Sequence, residues 1–252
     1  AIWLRELGAK VIGYSLDHPT TPSNFELSNL SNSVVDIRGD IRDFEKLQKI
    51  FKEYKPEIVL HLAAQPILLR SSEEPRYTLE TNVLGTINIL ESIRQSGSVK
   101  ALVSITSDKC YKNQELLWGY RENDLLGGED PYSASKAMAE IAIASYKDSF
   151  FPVQKYSEHK VAIASVRAGN VIGGGDFADF RLVPDCMKSL MKGEPIIIRN
   201  PKSVRPWQHV LVPLSGYLWL ASQLYTEGEK FADAWNFGPS ELKGVAAKEI
   251  AE

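Results

Sequence analysis

The sequence predicts an α/β protein built on a doubly wound parallel sheet, with a smaller lobe after residue 170. Three observations predict it. Short apolar runs alternate with helical stretches, the runs are continuously apolar instead of alternating with polar residues, and polar residues gather where several of these runs end. With 252 residues, 44% of them hydrophobic and 24% charged, the chain is long enough for a sizeable core. It carries no internal repeat or low-complexity tract.

The first element is a helical tail, Ile2 to Leu7, for which Gly8 is the expected C-cap. The apolar run over 11–16 reads as a buried strand, and a second short strand follows from Val34 to Arg38. From Asp43 to Tyr54 the residues Phe44, Leu47, Ile50, Phe51 and Tyr54 recur on one helical face. Strand 57–62 is followed by a long helix from Pro75 to Gln95. Val99 to Ile105 is a strand that runs directly into Ser107-Asp108-Lys109. A helix over 131–147 and a strand from Val161 to Val166 complete the alternation. Beyond Asn170 the pattern is less regular: a glycine turn at 173–175, a short helix from Leu182 to Met191 and a short strand from Pro195 to Arg199.

Parallel sheets bind ligands beyond the carboxyl ends of their strands. The segments His61 to Gln65, Ser107 to Lys109 and Arg167 to Asn170 occupy that position after three different strands. Tyr132 and Lys136 lie four residues apart on the helix over 131–147 and therefore share a face. A phenol ordinarily titrates near ~10, and an adjacent ammonium favours its charged form, so this pair is a candidate proton acceptor. Arg199 and Arg205 offer guanidinium groups suited to phosphate, or are solvated loop residues. Trp207 either lines a nucleotide pocket or simply packs. His61 reads as a packed core residue, His18 and His159 as loop residues.

Several function classes are excluded. The net charge of −3, with basic and acidic residues interspersed, gives no nucleic-acid footprint. No apolar run approaches the ~18 residues of a membrane span, and the start lacks a secretion signal, so a cytoplasmic location is the default. No histidine cluster predicts a metal. Cys110 and Cys186 have no metal or redox spacing and read as reduced thiols.

The strings TSDKCY at 106–111, DPYSASKAMAE at 130–140, RAGNVIGGGD at 167–176 and NPKSVRPWQHV at 200–210 resemble the extended short-chain dehydrogenase/reductases. The likeness covers essentially the whole chain and points to the branch that dehydrates CDP-sugars. It implies a Rossmann-like NAD-binding domain over 1–170 and a sugar-nucleotide lobe over 171–252 that partly returns to the main domain. The family's opening strand and Gly-rich turn are not in the chain, which also stops before the rest of the family's substrate lobe, so it reads as a fragment. The resemblance implies NAD as cofactor, held by Asp17, Asp40, Ile41, Leu62, Ala63, Ala64, Tyr132 and Lys136, with Ser15 standing where many relatives have an acid for the adenosine ribose. It implies a nucleotide-sugar substrate contacted by Asn170, Arg181 and Arg205. The implied reaction converts CDP-glucose to CDP-4-keto-6-deoxyglucose, with Tyr132 as base, Lys136 tuning it, Ser107 on the same oxygen, Asp108 as acid and Lys109 as carbon 5 base. Asn82 is implied as a support of the active-site helix, and a homodimer is implied through the helices at 75–95 and 131–147. A sugar-nucleotide 4-epimerase and a catalytically silent sugar-nucleotide-binding fragment are the alternatives.

Overall fold

The computed structural model describes residues 1–239 and 244–252. The chain divides into two compact units, one comprising Ala1–Asp40, Asn170–Val210 and Pro239–Glu252, the other Ile41–Gly169 and Leu211–Gly238. This division by compactness runs differently from the expected functional one, because the second unit takes up Leu211–Gly238.

The second unit holds a four-stranded parallel sheet in the order Ile58–His61, Ala101–Ile105, Ala162–Ala168, Ala234–Phe237. Side chains alternate across a strand, so residues of one parity share a face. Ala101, Val103, Ala162, Ala164 and Val166 pack on Tyr217, Leu220, Ala221 and Leu224 of the Leu211–Phe231 helix. Full burial of leucines such as Leu220 and Leu224 contributes about 1.5–3 kcal/mol each. Close approach is possible because Gly228 has no side chain: a Cβ there would stand 2.6 Å from that of Ala162. Residues of the other parity turn to the opposite face, where Ser165 and Arg167 meet Glu140 of the Pro131–Phe150 helix. The sheet is thus covered on both faces, by an apolar helix surface on one and a partly polar one on the other.

Most expected elements are present with ends shifted by a few residues. The helix Phe44–Tyr54 is capped by Asp43, whose carboxylate accepts from the Lys46 amide at 3.0 Å. The expected long helix begins at Pro75 and ends at Ser96, where Gly97 takes the left-handed conformation; within it, Glu80–Leu84 widens into a π-helical turn. The sequence predicts neither the helices Leu68–Glu73 and Leu211–Phe231 nor the strand Ala234–Phe237, nor several shorter elements of two to four residues such as Asn24–Leu27 and Val171–Ile172.

In the first unit, Ile12–Ser15 pairs in parallel with Val35–Arg38, Val171–Ile172 with Gln208–His209, and Val204–Arg205 pairs antiparallel with Val245–Ala246. The helix Leu182–Lys192 packs against Ala247–Ala251. The strand expected from Pro195 to Arg199 is irregular backbone. Pro195 supplies no ladder donor, and Ile197, 84% exposed, has no sheet to face. His159 ends a short helix, Tyr156–His159, instead of lying in a loop, and its ring nitrogen accepts from the Val161 amide at 3.0 Å.

Glu140 and Arg167 are joined at 2.7 Å with side chains only 3% and 5% exposed. Removing one partner strands the other charge, so Arg167→Ala is expected to destabilise the fold by about 3–5 kcal/mol in urea unfolding. Arg70→Ala, which breaks an exposed pair with Glu74, should change it by less than ~1 kcal/mol.

Candidate active site

Tyr132 sits in the first turn of the Pro131–Phe150 helix, an entry set by local chemistry. Pro131 takes the first helical position, where its missing N–H costs nothing, and the Asp130 carboxylate accepts from the Ser133 amide at 2.9 Å and hydroxyl at 2.6 Å. Lys136 follows one turn later and is buried. Its ammonium donates to the Ile105 carbonyl at 3.5 Å, at the end of the neighbouring strand. Burial pushes its pKa down to about 8, with the Glu140 carboxylate opposing that fall.

Ser107 follows that same strand. Its hydroxyl donates to Asp108 Oδ1 at 3.0 Å and accepts from the Lys109 amide at 3.2 Å, capping the single 3-10 turn Asp108–Cys110. The turn packs against the Pro131–Phe150 helix, with Cys110 and Tyr111 clustered on Ala137. The turn that carries Asp108 and Lys109 is thus packed on the helix that carries Tyr132 and Lys136. Cys110 is an inert thiol there, pushed up to about 12 by burial.

A second set of contacts comes from the π-helical turn. Asn82 accepts from the Gln65 amide at 2.8 Å and donates to the Gln65 carbonyl at 3.1 Å and to Ser135 Oγ at 2.8 Å. Ser135 in turn donates to the Tyr132 carbonyl at 2.6 Å. Asn82 therefore ties the loop Leu62–Gln65, beyond the strand Ile58–His61, to the helix that carries Tyr132. Leu62 and Ala63 stay exposed at this strand end. The Thr86 hydroxyl donates to the Asn82 carbonyl at 2.7 Å, so its oxygen accepts, at 3.0 Å, from Nε2–H of His61. Burial and the Lys136 charge push His61 down to about 3, which keeps it neutral: it is a packed core histidine.

The second unit brings together Ile41, Leu62, Ala63, Ala64, Ser107, Asp108, Lys109, Tyr132 and Lys136. Asp17, Asp40, Asn170, Arg181 and Arg205 belong to the first. There Asp17 is exposed after the strand Ile12–Ser15, and the Asp40 carbonyl accepts from the Tyr14 hydroxyl at 2.7 Å. Ser15 receives Arg38 at 3.2 Å. The Asn170 carbonyl accepts from the Gln208 amide at 3.0 Å, and Arg181 pairs with Asp176 at 2.8 Å. Arg205 lies half-buried in its short strand beside Trp207, whose indole N–H donates to the Val245 carbonyl at 3.1 Å, a packing role. Among the described residues no group of His, Cys, Asp and Glu could hold a metal, and no helix is long and apolar enough to cross a membrane.

Thr106, Tyr111 and Glu140 were not singled out by sequence reasoning. The signal was present for Glu140, which extends the spacing of Tyr132 and Lys136 by another four residues along one helix face.

The Lys136 shift has a measurable consequence. Between pH 8 and 10.5 the folded chain has lost this proton while the unfolded chain still binds it, so the group's contribution to stability rises with pH across that window. Below pH 8 both states are charged and the burial cost is constant. Lys136→Met is therefore expected to be more stable than the parent near neutral pH, by up to about 3 kcal/mol, with an advantage that shrinks as pH rises through the window. Urea unfolding at pH values either side of it checks this.

A family model described as GDP-mannose 4,6 dehydratase matches residues 6–216. The CDP-glucose 4,6-dehydratase of Salmonella typhimurium is 56% identical over 239 residues, covering 95% of this chain and 67% of that protein. The dTDP-D-glucose 4,6-dehydratase of Dictyostelium discoideum is 28% identical over 69% of this chain and 40% of its own length. Among solved structures, UDP-glucose 4-epimerase of Thermotoga maritima with UDP-glucose shares the fold at TM-score 0.81 and 23% identity, over 99% of this chain and 75% of that one. The dTDP-glucose 4,6-dehydratase of Bacillus anthracis in complex with NAD does so at TM-score 0.77 and 21% identity, over 99% and 73%. The match across most of the chain, together with the 56% identity, shows that this protein belongs to the GDP-mannose 4,6-dehydratase family.

Proposed function

We propose that the protein dehydrates CDP-glucose to CDP-4-keto-6-deoxyglucose with NAD as its cofactor. The observation that carries this reading is the packing of the Asp108–Cys110 turn on the helix of Tyr132 and Lys136. One neighbourhood then holds both a base for alcohol oxidation and an acid and base for elimination. The substrate class follows from the Salmonella relative. The residues fit the cofactor: Leu62 and Ala63 leave exposed apolar surface at a strand's carboxyl end, where parallel sheets bind dinucleotides, and the buried Lys136 donor lies on the adjoining helix.

In this mechanism the Tyr132 phenolate takes the proton of the sugar 4-hydroxyl, Ser107 hydrogen-bonds the same oxygen and the Lys136 ammonium stabilises the phenolate. Leu62, Ala63, Tyr132 and Lys136 would hold NAD, which would supply the hydride acceptor for carbon 4 and the hydride donor for carbon 6. The ketone acidifies carbon 5, whose proton passes to Lys109 while Asp108 protonates the departing 6-hydroxyl, so that water leaves. Lys109 then returns its proton to carbon 5, and the proton taken up by Tyr132 is released to solvent while Asp108 regains one from it, so that both groups end the cycle as they began. Lys109 acts as a base only when its ammonium is deprotonated, a state that a desolvated site favours. Asn170, Arg181 and Arg205 contact the sugar and diphosphate, and Asp17, Asp40 and Ile41 the adenosine side of the cofactor.

A 4-epimerase needs Tyr132, Lys136 and NAD but no acid and base for elimination, and the Thermotoga structure shares this fold. Mass analysis separates the two: incubation with CDP-glucose and NAD should release a nucleotide sugar lighter by one water, whereas unchanged mass with inverted carbon 4 overturns dehydration. Tyr132→Phe should lower kcat by about 10²–10⁴ while binding CDP-glucose with little change by calorimetry.

The protein acts as a homodimer in this reading. Leu79, Glu80, Val83, Leu84, Ile87 and Met138 line a groove with an apolar surface on the helices at 75–96 and 131–150; Leu84 and Met138 are exposed in it, and Ile141 is exposed further along the second helix. A second copy of the same face covers it. Met138→Glu should shift the protein to monomer in analytical ultracentrifugation; a monomeric parent protein overturns the assignment.

A further inference from the structure

The triplet Ser107-Asp108-Lys109 lies on a single 3-10 turn whose internal hydrogen bonds are local and do not by themselves set its distance from Tyr132 and Lys136. Its position is fixed from both shoulders. Immediately before it, the Thr106 hydroxyl donates to Glu140 Oε1. Immediately after it, past Cys110, the Tyr111 hydroxyl accepts from Arg167 Nη1 at 2.8 Å and donates to Asn236 Oδ1 at 2.7 Å, with the Arg167 guanidinium 5.0 Å from the centre of the Tyr111 ring. The two shoulders are joined to each other, since Arg167 Nη2 donates to Glu140 Oε2 at 2.7 Å and Ser165 Oγ donates to the same oxygen at 2.8 Å. Arg167 also donates to the Glu122 carbonyl at 2.8 Å, holding the loop that leads back towards the Pro131–Phe150 helix.

Glu140 lies one turn beyond Lys136 and two beyond Tyr132 on that helix. The network therefore connects the phenol and ammonium to both ends of the charged couple. Apolar packing alone would let the turn slide by a fraction of an ångström, whereas buried, directional hydrogen bonds to a fixed ion pair resist this. Proton transfer has little tolerance for such a displacement.

We propose that Thr106, Tyr111, Glu140 and Arg167 are positioning residues for the elimination step, setting Asp108 and Lys109 at a fixed offset from Tyr132 and Lys136. This rests on the dehydratase reading. The oxidation at carbon 4 depends on Tyr132, Lys136 and Ser107, so loosening the network slows loss of water more than it slows oxidation.

The test uses Tyr111→Phe and Thr106→Val, which remove a hydroxyl from each shoulder and leave the Glu140–Arg167 pair intact, with Thr106→Ser restoring the hydroxyl. In the purified protein supplied with NAD and CDP-glucose, Tyr111→Phe and Thr106→Val should each lower kcat about tenfold to a hundredfold with little change in KM. Bound reduced nicotinamide, read by its ultraviolet absorption, should accumulate at steady state because oxidation outruns elimination. Thr106→Ser should recover the parent rate. The proposal is overturned if both variants keep the parent kcat, or if they slow without accumulating reduced nicotinamide. If the parent protein releases no dehydrated sugar, the functional reading itself fails; if the parent dehydrates and the variants are unaltered, only the positioning role fails.

Discussion

The candidate active site depends on two charges buried on one helix face. Lys136 and Glu140 lie a turn apart on the Pro131–Phe150 helix, each with less than a tenth of its surface exposed. A buried charge must meet oriented partners, and here these come from the sheet and the residue that follows one of its strands: the Ile105 carbonyl for the ammonium, and Arg167, Ser165 and Thr106 for the carboxylate. Rotating or sliding the helix would orphan both groups at once. Tyr132, one turn earlier on the same face, inherits that fixed placement.

The sheet divides its labour between its faces. Ala101, Val103, Ala162, Ala164 and Val166 present small or branched apolar groups to the Leu211–Phe231 helix, which stabilises the fold by burial alone. The opposite face carries His61, Ser165 and Arg167, and supports the chemistry through hydrogen bonds. Parallel strands bring their carboxyl ends to one edge, so the loop after His61 and the triplet after Ile105 emerge on the same side. The π-helical turn at Glu80–Leu84 adds a further tie. Its Asn82 reaches both the Gln65 backbone and Ser135, an arrangement that a regular α-helical register would displace.

Solved proteins of this fold include both an epimerase and a dehydratase, so the architecture alone does not select the reaction. What separates the two chemistries is the presence of an acid and a base able to remove water once the ketone has formed. In the proposed reading Asp108 and Lys109 supply that difference, on a turn whose flanks are tied to the same helix that carries Tyr132.

Much of this was legible in the chain itself. Apolar runs and helical periodicity identified the first five strands and several of the helices, since both patterns reflect side-chain direction, a local property. The spacing of Tyr132 and Lys136 put them on one face, and the strings around 106–111 and 130–140 carried the family resemblance. The Pro195–Arg199 strand failed because an extended, branched segment still needs a neighbour, and Ile197 has none to face. The Ala234–Phe237 strand pairs with a strand some seventy residues earlier, a non-local partnership that periodicity does not record. The sequence by itself determined which residues could do the chemistry and on which local elements they ride, because those follow from spacing and residue type. Only the tertiary structure decided that Thr106, Tyr111, Glu140 and Arg167 converge behind the triplet, because a hydrogen-bonded cluster drawn from a strand, a helix and the two flanks of a turn exists only once the sheet has brought them together.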